Sequence, residues 1–173
     1  MQIFISHSHK DIELARKIYE FLDPFFDPWM WDQDMVPGEI DWDTIEDAIE
    51  NSDLLVMLAT DDGVGNENVW REVDLAREHG TYILPLRGPD TPRPKLGFLS
   101  SKTCPKMDPD DLPRTLEFIA DTTLRVRETR TNRNYWYLGI GGLIVGYLIG
   151  RKKSENRISS SESSKLADGS AED

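Results

Sequence analysis

Apolar positions come in short blocks separated by polar, Pro- and Gly-containing stretches, and the blocks alternate between two periods. Near the N-terminus "QIFIS" is a continuous apolar run of strand length. "DIELARKIYEFL" places Ile12, Ala15, Ile18, Tyr19 and Leu22 at helical spacing, which predicts an amphipathic helix from about Asp11. Prolines at 24, 28 and 37 and Gly38 break "DPFFDPWMWDQDMVPGE" into loops, with room for a short strand around Trp29–Trp31. "DWDTIEDAIENS" reads as a second helix. Its apolar face is Trp42, Ile45, Ala48 and Ile49, and acids crowd its first turn, where the helix dipole favours them. "DLLVMLAT" is uninterrupted, as a central strand covered on both faces should be. "DDGVGNEN" reads as a loop, "VWREVDLAREHG" as a helix ended by Gly80, and "TYILPLRG" as a further strand. A Pro-rich loop, "GPDTPRPK", comes next. "LGFLSSKTCPKMDPDDLP" leaves room for a last edge strand, and "DDLPRTLEFIADTTLRV" predicts a closing helix.

Strand alternating with helix is the rhythm of an α/β domain with a parallel sheet and helices on both faces. Such sheets bind ligands beyond the carboxyl ends of their strands. The loops that begin at Ser6, near Asp32, at Thr60 and near Arg87 are therefore where chemistry is expected.

From Asn134 to Gly150, seventeen residues carry no charge. As a helix they span about 26 Å, slightly short of a ~30 Å hydrocarbon core. Arg133 and Arg151–Lys153 bracket the run, and Tyr135, Trp136 and Tyr137 suit a membrane interface, so 134–152 is predicted to be a transmembrane helix. Gly142, Gly146 and Gly150 repeat every four residues, a spacing that lets two helices approach closely. Residues 153–173 are small, polar and charged and are expected to be disordered. The division expected is thus 1–124 as the α/β domain, 125–133 as a basic linker, 134–152 as the membrane helix and 153–173 as the tail.

Charge changes the picture of partners. Of the net charge of −12, the Arg-rich residues 125–133 contribute +3 and residues 151–173 contribute nothing, which leaves −15 on the first 124 residues. So acidic a domain does not attract nucleic acid through its general field. Cys104 is the only cysteine, so no disulfide forms within the chain. "MQIFISHSHKD" lacks a basic n-region and its apolar run is too short for a signal peptide.

The chain has no GxGxxG, GxxxxGK[ST] or GxSxG motif and no Cys/His metal spacing. The opening "SHSHKD" is not expected to form a Ser-His-Asp triad, because residues so close in sequence do not converge as a triad requires. A carboxylate remains. With Val69, Val73 and Ala76 turned to the sheet, Glu72 falls at the edge of the apolar face, and Asp74 points about 200° away. A glutamate near the ligand-binding edge can stabilise a cationic transition state or act as a base, although a solvated helix acid fits the same spacing.

Several stretches together resemble the Toll/interleukin-1 receptor (TIR) domain. "IFISHSHKD" is similar to the first box of that family. "WDQDMVPGEIDW", with Pro37-Gly38, resembles the second. "AIENSDLLVMLAT" and "NENVWREVDLAREHGTYILPL" resemble the passages into the third and fourth strands. The similarity covers residues 1 to about 122. It implies a flavodoxin-like three-layer sandwich with a mostly parallel central sheet, here followed by a single hydrophobic C-terminal helix.

Many TIR domains cleave NAD at the nicotinamide–ribose bond with a glutamate of the third helix. By resemblance that residue is Glu72, with Val73 and Ala76 at the apolar and small positions and Asn68 in the usual tryptophan place; anchoring on Trp70 would select Asp74 instead. Ser6, His7, Ser8, Trp31, Asp34 and Gly38 would flank the substrate, and Trp31 or Trp42 could stack on a base or serve as core. NAD is then the substrate, with no cofactor and no metal.

The resemblance implies homotypic assembly, with the site completed between neighbouring copies, in signalling or defence. The first expectation is a single-pass membrane protein with its TIR domain in the cytoplasm, cleaving NAD. A non-catalytic interaction module, a membrane-permeabilising effector that uses the glycine-rich helix, and a deoxyribosyltransferase-like enzyme are the alternatives.

Overall fold

The computed structural model describes residues 1–34, 41–107 and 111–131. Among them four strands form one parallel sheet: β1 (Gln2–Ser6), β2 (Asp27–Trp29), β3 (Leu54–Ala59) and β4 (Tyr82–Arg87), in spatial order β2-β1-β3-β4. Phe4 lies opposite Leu55, and Leu55 opposite Ile83, so one apolar row crosses the three strands. Parallel neighbours cannot be joined by a tight turn, and each crossover carries helix. Helix α1 (Ile12–Leu22), preceded by a 3-10 turn over His9–Asp11, links β1 to β2. Helices α2 (Trp31–Asp34) and α3 (Trp42–Asn51) lie between β2 and β3, and α4 (Asp61–Val64) and α5 (Glu67–Glu78) between β3 and β4. A 3-10 segment over Arg93–Ser101 and helix α6 (Leu112–Thr131) follow.

Every residue of β3 is completely buried, which is why its sequence shows no polar alternation. Side chains alternate across a strand. Leu55, Met57 and Ala59 share a core with Ile45 and Ile49 of α3 and with Val69, Val73 and Ala76 of α5. Leu54, Val56 and Leu58 occupy the other face, where α1 and α6 pack together. The strand order is that of a flavodoxin-like sheet. The order in which strands are added reverses between β1 and β3, and that reversal opens a crevice at their carboxyl ends.

Local chemistry fixes the helix ends. The Asp41 carboxylate accepts from the Asp43 N–H at 3.2 Å and the Thr44 hydroxyl at 2.5 Å, and it caps α3. The Asn66 side chain accepts from the Asn68 N–H at 2.9 Å and starts α5. At the other end Gly80 adopts φ +72°, and the Thr81 and Gly80 N–H groups bond to the Ala76 and Arg77 carbonyls at 2.9 and 3.3 Å. This closes α5 in a Schellman motif.

Four sequence expectations are corrected in detail. "DDGVGNEN" is not all loop, because Thr60 accepts from the Gly63 N–H at 2.9 Å and caps the single turn of α4; one turn is too short to show a period. The short strand is Asp27–Trp29, and Trp31 instead opens α2. Among the described residues the expected last edge strand reduces to one bridge between Arg87 and Lys106. Strand β4 is therefore largely an edge, which tolerates Pro85, a residue without an N–H to donate. Finally, α6 continues to Thr131, so residues 125–131, expected as linker, extend the helix.

Among the described residues no helix is long and apolar enough to cross a membrane. The predicted membrane helix 134–152 and the tail 153–173 lie outside the described residues.

Candidate functional site

The carboxyl ends of β1 and β2 and the first turns of α3 and α5 surround a cleft of about 210 Å³. The loop after β1 contributes His7 and His9, and α2 contributes Trp31. Trp42 and Ile45 come from α3, while Asn66, Asn68 and Glu72 come from the start of α5. Each arrives by a local rule: the loops leave the strands at the sheet edge, and the caps Asp41 and Asn66 aim the helix starts there.

Glu72 belongs to the buried stripe of α5, with Val69, Val73 and Ala76. It is not at the stripe's edge, as its spacing suggested, and is only 3% exposed. The Ser6 hydroxyl, at the last position of β1, donates to Glu72 Oε2 at 2.5 Å. Burial pushes the Glu72 pKa up to about 8, and the Ser6 hydrogen bond pulls the other way. At neutral pH most of this carboxyl therefore holds its proton, and a cation entering the cleft would favour releasing it. Asp74 lies on another face of α5, half exposed, and pairs with Arg77 Nη2 at 3.1 Å.

His7 is fully buried. Its Nδ1 lies 3.2 Å from the Ile5 carbonyl, and its Nε2 lies 3.2 Å from Asp32 Oδ1 without the alignment of a hydrogen bond. Burial lowers the His7 pKa, opposed by the Ile5 carbonyl and by Asp32. The Trp31 ring stacks near His7, centroids 6.0 Å apart and planes 16° from parallel, and lies 6.4 Å from the His9 ring. Trp42 forms another wall and carries the Arg71 guanidinium on its ring, Cζ 3.7 Å from the centroid.

Glu72, Ser6, His7 and Trp31 thus come together. Ser8 is placed otherwise: its hydroxyl donates to Asp11 Oδ2 at 2.5 Å, as does that of Thr60 at 2.7 Å, and the three groups tie the start of α1 to the end of β3. Asp34 ends α2, but its side chain, like Gly38, lies outside the described residues. Asn66 and the His7–Asp32 pair were not foreseen. An asparagine immediately before a helical stripe is a legible cap signal, whereas His7 and Asp32 meet only because β1 and β2 are neighbours.

A larger hollow of about 640 Å³ runs along β4, walled in part by Tyr82, Phe98 and Phe118. Among the described residues no buried titratable side chain faces it, whereas Glu72 and His7 line the smaller cleft. That cleft offers one carboxyl at its base, aromatic walls and amide groups at its rim. Among the described residues no cluster of His, Cys, Asp and Glu is placed to hold a metal ion.

The chain matches the family described as the TIR domain over residues 3–116. No curated protein matches it. The fold is similar to the crystal structure of the TIR domain of the Toll-related receptor TRR-2 from the lower metazoan Hydra magnipapillata. The TM-score is 0.55 and the identity 22%, covering 72% of this chain and 97% of that one. With the family matched across most of the described domain, and with a parallel sheet of the same fold, this chain belongs to the TIR domain family.

Proposed function

We propose that this chain is a membrane-anchored TIR domain that cleaves NAD at its nicotinamide–ribosyl bond when copies assemble, in signalling or defence. The observation that carries the reading is Glu72: a buried carboxyl, held by Ser6, at the base of a cleft at the sheet's reversal point. In the reaction the bond between ribose C1′ and the ring nitrogen breaks. Its electron pair leaves with nicotinamide, which becomes neutral, and positive charge develops on the ribose. A carboxylate beside that centre lowers the barrier. Water then adds at C1′ and gives up a proton, forming ADP-ribose; capture by another part of the same molecule gives a cyclic product.

The cationic ring of NAD favours the ionised form of Glu72, whose proton passes to solvent as substrate binds. Trp31, Trp42 and His7 wall the nicotinamide–ribose end, with Asp34 and Gly38 in the flanking second box. The described walls enclose about 210 Å³, less than the ~300–1,000 Å³ of pockets that enclose a whole small ligand. A dinucleotide therefore extends past them, which fits a site completed by a second copy. Residues 134–152 would hold the copies together at a membrane, with the TIR domain on the cytosolic side where NAD is available.

The test is NAD consumption by the full chain clustered on beads. Wild type and Asp74→Ala are expected to consume NAD, and Glu72→Ala to lose at least a hundredfold. Absence of turnover in the clustered wild type would overturn the reading. A non-catalytic interaction module is the second reading, favoured by Asn68, which presents an amide to the cleft where catalytic members carry a tryptophan ring.

A further inference from the structure

We infer that Arg71 binds the diphosphate of the dinucleotide at the mouth of the Glu72 cleft; this rests on the NAD reading of that cleft. An anionic ligand approaching a domain of charge −15 meets an unfavourable field and needs a local cation. Among the described residues the cleft lining contains no lysine or arginine. Lys10, beyond His9, is held by Asp62 at 2.6 Å, and Arg77 by Asp74 at 3.1 Å. Arg71 is exposed, and no carboxylate among the described residues lies within ion-pair distance of it. Its guanidinium rests on Trp42, a wall of the cleft.

Position in the helix explains the arrangement. Successive side chains on a helix diverge by about 100°, so Glu72 turns into the buried stripe while Arg71 swings outward over α3. The ring of Trp42 fixes the guanidinium there and leaves its N–H groups at the ring's margin free to meet oxygen. The described walls enclose about 210 Å³, too little for a whole dinucleotide, so with the ribose at Glu72 the diphosphate would lie outside them. With C1′ at Glu72, a ligand that leaves the cleft along Trp42 carries its phosphate oxygens to the Arg71 fork, which suits them bidentately.

The experiment compares wild-type, Arg71→Gln and Arg71→Lys full-length chains. One arm measures turnover of NAD and of nicotinamide riboside, which has the same scissile bond and no phosphate. The other titrates ADP-ribose calorimetrically. Arg71→Gln is expected to raise KM for NAD and the dissociation constant of ADP-ribose about fivefold, as for one exposed charge-assisted contact. It should leave kcat and the riboside KM unchanged, and Arg71→Lys should restore part of the loss. Unaltered ADP-ribose affinity in Arg71→Gln, an equal rise in KM for the riboside, or no ADP-ribose binding by wild type each overturns the inference. If the wild type turns over no NAD, the catalytic reading fails, and the ADP-ribose titration alone still decides the role of Arg71.

Discussion

Replacing Glu72 by glutamine should make the protein more stable at neutral pH, by an amount that depends on pH in a defined way. The Glu72 carboxyl is 3% exposed, and burial raises its pKa from 4.5 to about 8. Between those values the unfolded chain has released this proton and the native state still holds it. The native state then binds more protons, so stability falls as pH rises. At roughly 1.4 kcal/mol per pH unit, the cost is nil near pH 4.5, roughly 3 kcal/mol at pH 7, and it levels off near roughly 5 kcal/mol above pH 8. Glutamine keeps the shape and an oxygen that accepts from Ser6, but it does not ionise. Urea unfolding of wild type and Glu72→Gln at pH 5, 6, 7 and 8 is the assay. The stability difference should widen in favour of Glu72→Gln at every step up to about pH 8. A difference that stays flat across this range, or a less stable Glu72→Gln at pH 7, would show that burial does not hold this carboxyl protonated.

Two other perturbations reach the site and its support. Ser6→Ala removes the hydrogen bond that favours the Glu72 carboxylate, so its pKa rises further and the ascending limb of NAD consumption moves to higher pH; an unmoved pH profile would contradict the coupling. Gly63→Ala would set a Cβ 2.0 Å from the Leu58 carbonyl oxygen. A shift of the α4 turn is then forced, and a loss of about 1–3 kcal/mol is expected in urea unfolding; an unchanged midpoint would mean that α4 does not pack this closely on β3.

A buried carboxyl that costs stability makes sense where charge chemistry is needed. An apolar residue at position 72 would continue the stripe of Val69, Val73 and Ala76 without a desolvation cost. The groups around Glu72 do not neutralise it: Ser6 donates one hydrogen bond, and the guanidinium of the adjacent residue, Arg71, turns over Trp42. A cation is therefore the kind of partner that would stabilise the Glu72 carboxylate.

Elements whose signal is local are legible in the residues alone. The unbroken run of β3 reports burial on both faces, the 69-73-76 stripe gives the phase of α5, and Gly80 marks its end. Those rules act within one turn or one strand, so a single segment carries them. Helix phase also separates Glu72 from Asp74 before any packing is known. The tertiary structure alone decided what each buried face meets. Ser6 reaches Glu72 across sixty-six positions because α5 packs on β1, and His7 meets Asp32 because β1 and β2 are neighbours. Periodicity tells that a side chain is covered and not by what. The depth of Glu72, the diversion of Ser8 to Asp11 and Thr60, and the loss of the expected edge strand to a single bridge at Arg87 all depend on that second fact.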